Sequence, residues 1–462
     1  MDSKDVAHIF RAYDVRGVFN QDLTVDIAAN IGTVFGSYIG PGKKVSLGWD
    51  CRSSSEALAN AISAGMSAAG VHVTCLGAMP IPVANFTTLR EKYDYGTYIT
   101  ASHNPPEYNG VRFRHSDGTG FTVQNDEVRD LFLQPKKWKR ASWDKLGKIE
   151  WANTEAVIAK YCNFLFNKCQ AEGPMKIVID PMHGAGALTA RRTMEELGHK
   201  VESVSENIDA TFGGRDPHPR AGTLGILEEK VKSVKADFGV AFDPDGDRVV
   251  FVDDKGRTAQ VEVMGIILAR EVLRTRPGGL VLANIPCSMI IEREIEKVGG
   301  KVKRTRVGDV FVCEAVKKLG AVFGMEISAH FFIPTYYIFD DPLLASLMLA
   351  QVLSRDGVKL SKLIDDIPTY PTIEKGYDAP DTVKFKVVDS IRDDFKKDGA
   401  KVDTTDGVKV IFDDGWAMLR PSNTQPMVRL FAEAKTQVRL GELVKMFERI
   451  FNDKLKGFTR KK

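Results

Sequence analysis

Short apolar runs recur along the chain, each stopping at a glycine, a serine or a charged residue. Read for period, they form one unit repeated three times: strand, Gly/Ser-containing loop, helix, strand, helix, strand. The first copy places strands near Lys44 to Gly48, Val71 to Leu76 and Gly96 to Thr100. The second places them at Lys176 to Asp180, Lys200 to Val204 and Asp237 to Phe242, and the third at Leu280 to Ala283, Lys301 to Thr305 and Ala321 to Glu326. A helical stretch such as Ser54 to Ala69 follows each first strand and ends at Gly70, Gly198 or Gly299. Strands alternating with helices predict α/β domains. From about Asp365 the pattern changes to a connector with Pro and Tyr, then to an α+β stretch with a final helix at Leu440 to Phe451. Residues 134 to 151, rich in Lys and Trp, read as a linker closing the first domain.

The third strand of each copy runs straight into an unusual loop. The first loop continues Tyr98, Ile99, Thr100 and Ala101 into Ser102, His103, Asn104 and Pro105. A serine hydroxyl is a weak nucleophile that needs cations or an adjacent base to act. The second loop, Asp243, Pro244, Asp245, Gly246, Asp247, Arg248, sets three carboxylates at alternate positions and suits a hard cation such as Mg²⁺. A solvated acidic turn is the bland alternative. An EF-hand fits worse, because its sixth position would be Arg248 and its twelfth Asp254, and Val249 to Val252 reads as a strand. Ligands in open α/β sheets gather at strand carboxyl ends, so three such domains can aim three loops at one cleft.

With these two loops, and with Gly324 to His330 and Arg420 to Pro426 following in order, the sequence resembles the α-D-phosphohexomutases over essentially its whole length, specifically the phosphomannomutase/phosphoglucomutase branch. The resemblance implies an α/β fold of three related domains with mixed sheets plus a smaller C-terminal α+β domain around a central cleft. The divisions fall at 1–150, 151–254, 255–365 and 366–462. It implies a phosphorylated Ser102, one Mg²⁺ per chain held by Asp243, Asp245, Asp247 and the serine, and a hexose 1,6-bisphosphate as intermediate and activator. Arg248 would offset charge on the transferring group, and His103 and His330 are proton-transfer candidates, with the general base unassigned. Glu326 and Ser328 would hold the sugar, with Tyr13, Arg16, Arg112, Asp309 and His330 as further substrate contacts. Arg112 stands where bacterial members often place a lysine. Arg420, Ser422, Asn423, Thr424 and Arg429 would bind the non-reacting phosphate. Met325, Ala329 and Gln425 depart from the usual pattern and bear on which hexose is preferred.

Composition narrows the setting. A chain of 462 residues exceeds one core, and at about 150 residues per domain predicts three or four. A net charge of +3 over that length gives no reason to expect nucleic acid or membrane partners, and no run reaches membrane-spanning length. The six cysteines form no CxxC pair, and the first ten residues lack a secretory pattern, so a cytoplasmic enzyme acting on a small phosphosugar, monomeric or homodimeric, is expected. One rival is a dinucleotide-dependent oxidoreductase, since Gly184, Ala185 and Gly186 follow a strand and Glu206 lies about twenty residues on, but Thr189 replaces the third glycine. Others are a non-catalytic sugar-phosphate-binding protein and, within the family, a phosphoglucosamine mutase. Pro244, Gly246 and Asn423 favour the phosphomannomutase/phosphoglucomutase branch over the last.

Overall fold

The structure is a computed structural model describing residues 6–422 and 426–459. The near-continuous apolar runs of the sequence become strands buried on both faces, the condition of parallel sheets covered by helices. In the second domain Lys176–Asp180 lies between Lys200–Ser203 and Phe238–Phe242, parallel to both. In the third, Leu280–Asn284 lies between Lys301–Thr305 and Phe323–Met325 in the same way. The first domain repeats this with Lys44–Trp49 between His72–Ala78 and Tyr95–Ile99. Gly70, Gly198 and Gly299 follow the first helix of each copy with φ of +85°, +87° and +76°, the left-handed turn that ends a helix and that glycine adopts without strain.

Each copy also has a fourth strand, antiparallel to the third: Tyr108–His115, Val249–Asp253 and Phe331–Phe332. These make the sheets mixed, and they turn every special loop into the tight connection between strands three and four. The first sheet is widened to six strands by Val15–Val18 on one edge and Ile149–Trp151 on the other. The linker reading of 134 to 151 is corrected at its end. Ile149 and Trp151 alternate around Glu150 and pair in parallel with Val73–Cys75, and Trp151 meets the Trp49 ring edge-on at 6.0 Å.

The C-terminal domain is a five-stranded antiparallel sheet covered by the helices Lys384–Lys397 and Gln437–Thr459. The last helix runs beyond the expected Phe451 because Leu455 and Phe458 keep its apolar stripe on that sheet. One hydrophobic cluster runs through the first three domains, the first domain has a second core of its own built on Phe35, Leu47, Ile99 and Phe113, and the C-terminal domain has a separate one built on Val387, Leu419, Leu430 and Phe447. A small cluster of Ile285, Trp416, Met418 and Phe431 joins the third and fourth domains. No helix among the described residues is long and apolar enough to cross a membrane.

Candidate active site

The loops at the strand ends meet in one cleft of about 560 Å³, lined among others by Ser102, Arg248, Glu326 and Arg420. Ser102 is buried and held at φ +51°, a left-handed conformation that costs a non-glycine residue roughly 1–2 kcal/mol. The cost is offset by Arg52, which sequence reading missed. Its Nη2 donates to the carbonyls of Ser102 (2.6 Å) and Asn104 (2.7 Å), and its Nη1 to those of Pro105 (2.6 Å) and Tyr108 (3.0 Å). Arg52 Nε donates to Asp50 (3.1 Å), and the guanidinium rests on the Phe212 ring of the second domain at 5.0 Å. The only sequence signal was a charged pair, Asp50 and Arg52, directly after an apolar strand.

Ser102 Oγ lies 3.1 Å from Asp243 Oδ2 and 3.2 Å from His103 Nδ1. Burial, then the charge of Arg248, holds the His103 imidazole well below its usual value, so it is neutral at pH 7. His218, a second residue missed in the sequence, brings its ring to 4.6 Å from that of His103.

Asp243, Asp245 and Asp247 are buried with ligand oxygens all within 4.8 Å of one another. Their loop is braced from the first domain and from within its own. Ile81 N donates to the Asp245 carbonyl (2.9 Å), Ala185 N to the Pro244 carbonyl (2.8 Å), and Gly184 sits so close that a Cβ there would stand 2.5 Å from Pro244 Cα. Burial and mutual repulsion raise the Asp243 carboxyl to about 6 and Asp245 well above the carboxylate range, whereas Asp247, although burial opposes it, is lowered with the charges of Arg248 and Arg112 beside it. Asp245 Oδ1 and Asp247 Oδ1 are buried with no hydrogen-bond partner. Carboxylates crowded in this way, with orphaned oxygens, fit an oxygen-ligated divalent cation.

Arg112 spans the domains, donating to Asp247 (3.1 Å) and to Asp309, with Arg114 Nη1 3.7 Å from the latter. Although burial opposes its charge, Asp309 is held far below the carboxylate range by Arg112 and Arg114. Asp309 therefore serves as a fixed counter-charge to these two arginines. Arg248 Nε donates to His330 Nε2 (3.0 Å), and His330 Nδ1 pairs with Asp340. Burial opposes a second proton on His330, yet Asp247 and Asp340 lift it to about 10. These two facts conflict at Nε2, where a proton would abut the guanidinium. The hydrogen bond decides for the neutral ring while Arg248 stands there.

Glu326 is buried and raised by that burial, with Oε1 accepting from Asn284 Nδ2 (2.8 Å) and Gly308 N (2.7 Å). Ser328 lines the cleft beside it. Ala329 has φ +71°, a conformation that favours glycine, and Met325 is turned away from the cleft against Gly265 and Phe331. Tyr13 lines the cleft edge-on to Phe311, its hydroxyl pushed up to about 12 by burial, and Arg16 donates to Asp14 (2.6 Å) and Asn104 (3.0 Å). On the C-terminal domain Arg420 donates to Asp406 (2.8 Å), Ser422 N donates to the Met427 carbonyl (2.8 Å), and Arg429 pairs with Glu374; all three line the cleft. Asn423, Thr424 and Gln425 lie outside the described residues. The dinucleotide reading fails on its own acid, because Glu206 is taken by Arg191 at 2.6 Å.

Known proteins agree with this architecture. The chain matches phosphoglucomutase/phosphomannomutase alpha/beta/alpha domain I over residues 7–137, domain II over 158–256, domain III over 262–370 and the C-terminal domain over 382–450. It is 34% identical over 457 residues to a phosphoglucomutase/phosphomannomutase of Thermococcus kodakarensis, covering 97% of this chain and 99% of the relative. It is 33% identical to a protein named probable phosphoglucosamine mutase from Methanosphaera stadtmanae, with 97% and 99% covered. A crystal structure of a phosphoglucomutase/phosphomannomutase family protein from Burkholderia thailandensis superposes with a TM-score of 0.88 at 29% identity, covering 97% of this chain and 98% of that one. Four domains in the family's order, closing on one cleft, make this chain an enzyme of the phosphoglucomutase/phosphomannomutase family within the phosphohexomutase superfamily, a mutase by class.

Proposed function

We propose that the enzyme interconverts hexose 1-phosphate and hexose 6-phosphate, mannose or glucose, through a phosphoserine at Ser102 and a bisphosphorylated sugar. The observation that carries this is the position of Ser102 Oγ, 3.1 Å from Asp243 and in the same cleft as Glu326 and Arg420. The phosphoryl group passes from Oγ to the free sugar hydroxyl, breaking the Oγ–P bond and forming a new O–P bond as the hydroxyl releases its proton and Oγ takes one up. After the sugar turns, its other phosphoryl group returns to Oγ. His103 Nδ1 can exchange a proton with Oγ across 3.2 Å. Arg112, fixed between two carboxylates, serves as a clamp rather than a proton carrier. Arg248 faces the transferring group as a positive charge. Glu326 and Ser328 hold the sugar hydroxyls in both poses, and Arg420 with Ser422 receives the other phosphate. Asp243, Asp245, Asp247 and Ser102 Oγ would hold one Mg²⁺, which when bound neutralises charge on the serine phosphoryl oxygens.

Unpaired thiols at all six cysteines support a reducing, cytoplasmic setting. We place the domain divisions at 150/151, 254/255 and 365/366.

The second reading, a phosphoglucosamine mutase, is favoured by the names of several relatives. The buried position of Met325 removes one ground for doubt about the hexose, since its side chain does not reach the cleft. Turnover of mannose, glucose and glucosamine 1-phosphates, with Mg²⁺ and glucose 1,6-bisphosphate present, decides between them. Mannose or glucose 1-phosphate turning over fastest is the expected result, and a preference for glucosamine 1-phosphate would transfer the enzyme to the other branch.

A further inference from the structure

The repeat that carries the cleft loops on third strands also puts a buried polar side chain at the end of each first strand: Asp50 just past it in the first domain, Asp180 in the second and Asn284 in the third. Asn284 closes Leu280–Asn284, an otherwise apolar strand, and has no solvent exposure. Its amide is used on both sides. Nδ2 donates to Glu326 Oε1 at 2.8 Å, while Oδ1 accepts from Ile327 N at 3.2 Å and from Cys287 Sγ at 2.9 Å. One side chain thus holds both the carboxylate and the backbone of the residue after it. Gly308 N, 2.7 Å from the same Oε1, completes the grip from the neighbouring loop. Glu326 Oε2 accepts no hydrogen bond from the described residues, although the side chain lines the cleft.

We propose that Asn284 is a positioning residue for sugar recognition, locking Glu326 through Oε1 so that Oε2 meets the sugar hydroxyls at one fixed place in both poses. This rests on the reading that Glu326 holds the sugar. A carboxylate is free to swing about its last torsions, and two donors on one oxygen remove that freedom before the sugar arrives. A sugar that must turn inside the cleft gains most from such a fixed point, because a wandering acceptor would let the bisphosphate leave between its two poses.

An isosteric exchange tests the idea. In Asn284→Asp a carboxylate oxygen replaces the amide donor and confronts Glu326 Oε1, so Glu326 is driven from its place. In Glu326→Gln combined with Asn284→Asp the hydrogen bond between the two side chains is restored in the opposite sense, amide donor on 326 and carboxylate on 284, with the Gly308 N bond given up. The expected result is a loss of at least about tenfold in kcat/KM for glucose 1-phosphate when Asn284→Asp is made in the parent, and less than about threefold when it is made in Glu326→Gln. Added glucose 1,6-bisphosphate should be needed at higher concentration by Asn284→Asp, with phosphate still mapping to Ser102. Equal losses in both backgrounds would show a purely structural role and overturn the proposal, as would unchanged kinetics in the single variant. Should Asn284→Asp not fold, Asn284→Ala in the same two backgrounds reads the same coupling, and additive losses overturn the proposal there too. A Glu326→Gln enzyme with parental kinetics would instead overturn the sugar-binding reading of Glu326, a separate outcome.

Discussion

Ser102 stands in a backbone conformation that serine avoids, and the surroundings show what that strain accomplishes: Oγ is turned toward Asp243 and His103 while Arg52 holds the carbonyls of the turn. Ser102→Ala should therefore abolish both phosphate incorporation and turnover, even with bisphosphate added, while the protein melts within a few degrees of the parent; peptide mapping and a coupled assay check this. Asp245→Asn removes one of the three crowded carboxylates, so the Mg²⁺ concentration for half-activity should rise at least about tenfold, read by titrating the metal. Much of this was legible in the sequence, because Ser102, the acidic loop and the loop at Glu326 each interrupt an apolar strand with residues that have no structural reason to be there. Arg52, Asn284 and His218 were not legible. Their roles depend on reaching across from another strand or another domain, and no local pattern encodes that reach.

At the scale of elements, the strand-three-to-strand-four connection places every loop, and its precision depends on neighbouring backbone. Gly184 is the sharpest case. A methyl group there would need to occupy space 2.5 Å from Pro244 Cα, so Gly184→Ala should push the acidic loop outward. We expect it to cost about 1–3 kcal/mol in stability and to weaken Mg²⁺ binding and turnover together, measured by thermal melts and metal titration. The three parallel strands of each repeat were read from the sequence almost to the residue: the central ones, buried on both faces, are written as unbroken apolar runs, whereas edge strands such as Lys301–Thr305 carry charged residues and are placed by their spacing in the repeat. The two-residue strand Phe331–Phe332 escaped notice since it is too short to show a period. Ile149–Trp151 escaped because its exposed aromatic and charged residues look like linker.

For the molecule as a whole, the contact between third and fourth domains holds one buried amine. Lys409 Nζ donates to the Ile285 carbonyl at 2.8 Å and lies 3.7 Å from the centre of the Trp416 ring. Burial, helped by the charge of Arg304, lowers it to about 7, while Glu292 and Glu433 pull the other way. An unfolded lysine keeps its proton to about pH 10.4, so between pH 7 and pH 10 the unfolded chain binds more protons and the fold gains up to about 1.4 kcal/mol per pH unit as pH rises. Below pH 7 both states are charged and the gain is absent. Lys409→Met should flatten that rise, seen as melting curves of parent and variant that diverge between pH 7 and pH 9. The same seam has a further consequence. One apolar cluster links the three domains that carry the first three cleft loops, while the fourth loop stands on a separate core, joined by a handful of apolar side chains, the Lys409 bond and the bonds of Ser288 and Met289 to Glu433 and of Val307 to Asp406. Calorimetry should resolve two transitions, the C-terminal domain melting first, and glucose 1-phosphate should draw them together by binding only the closed pair. On the proposed reading the substrate is the mortar of this molecule, set across a joint that the chain itself leaves thinly filled.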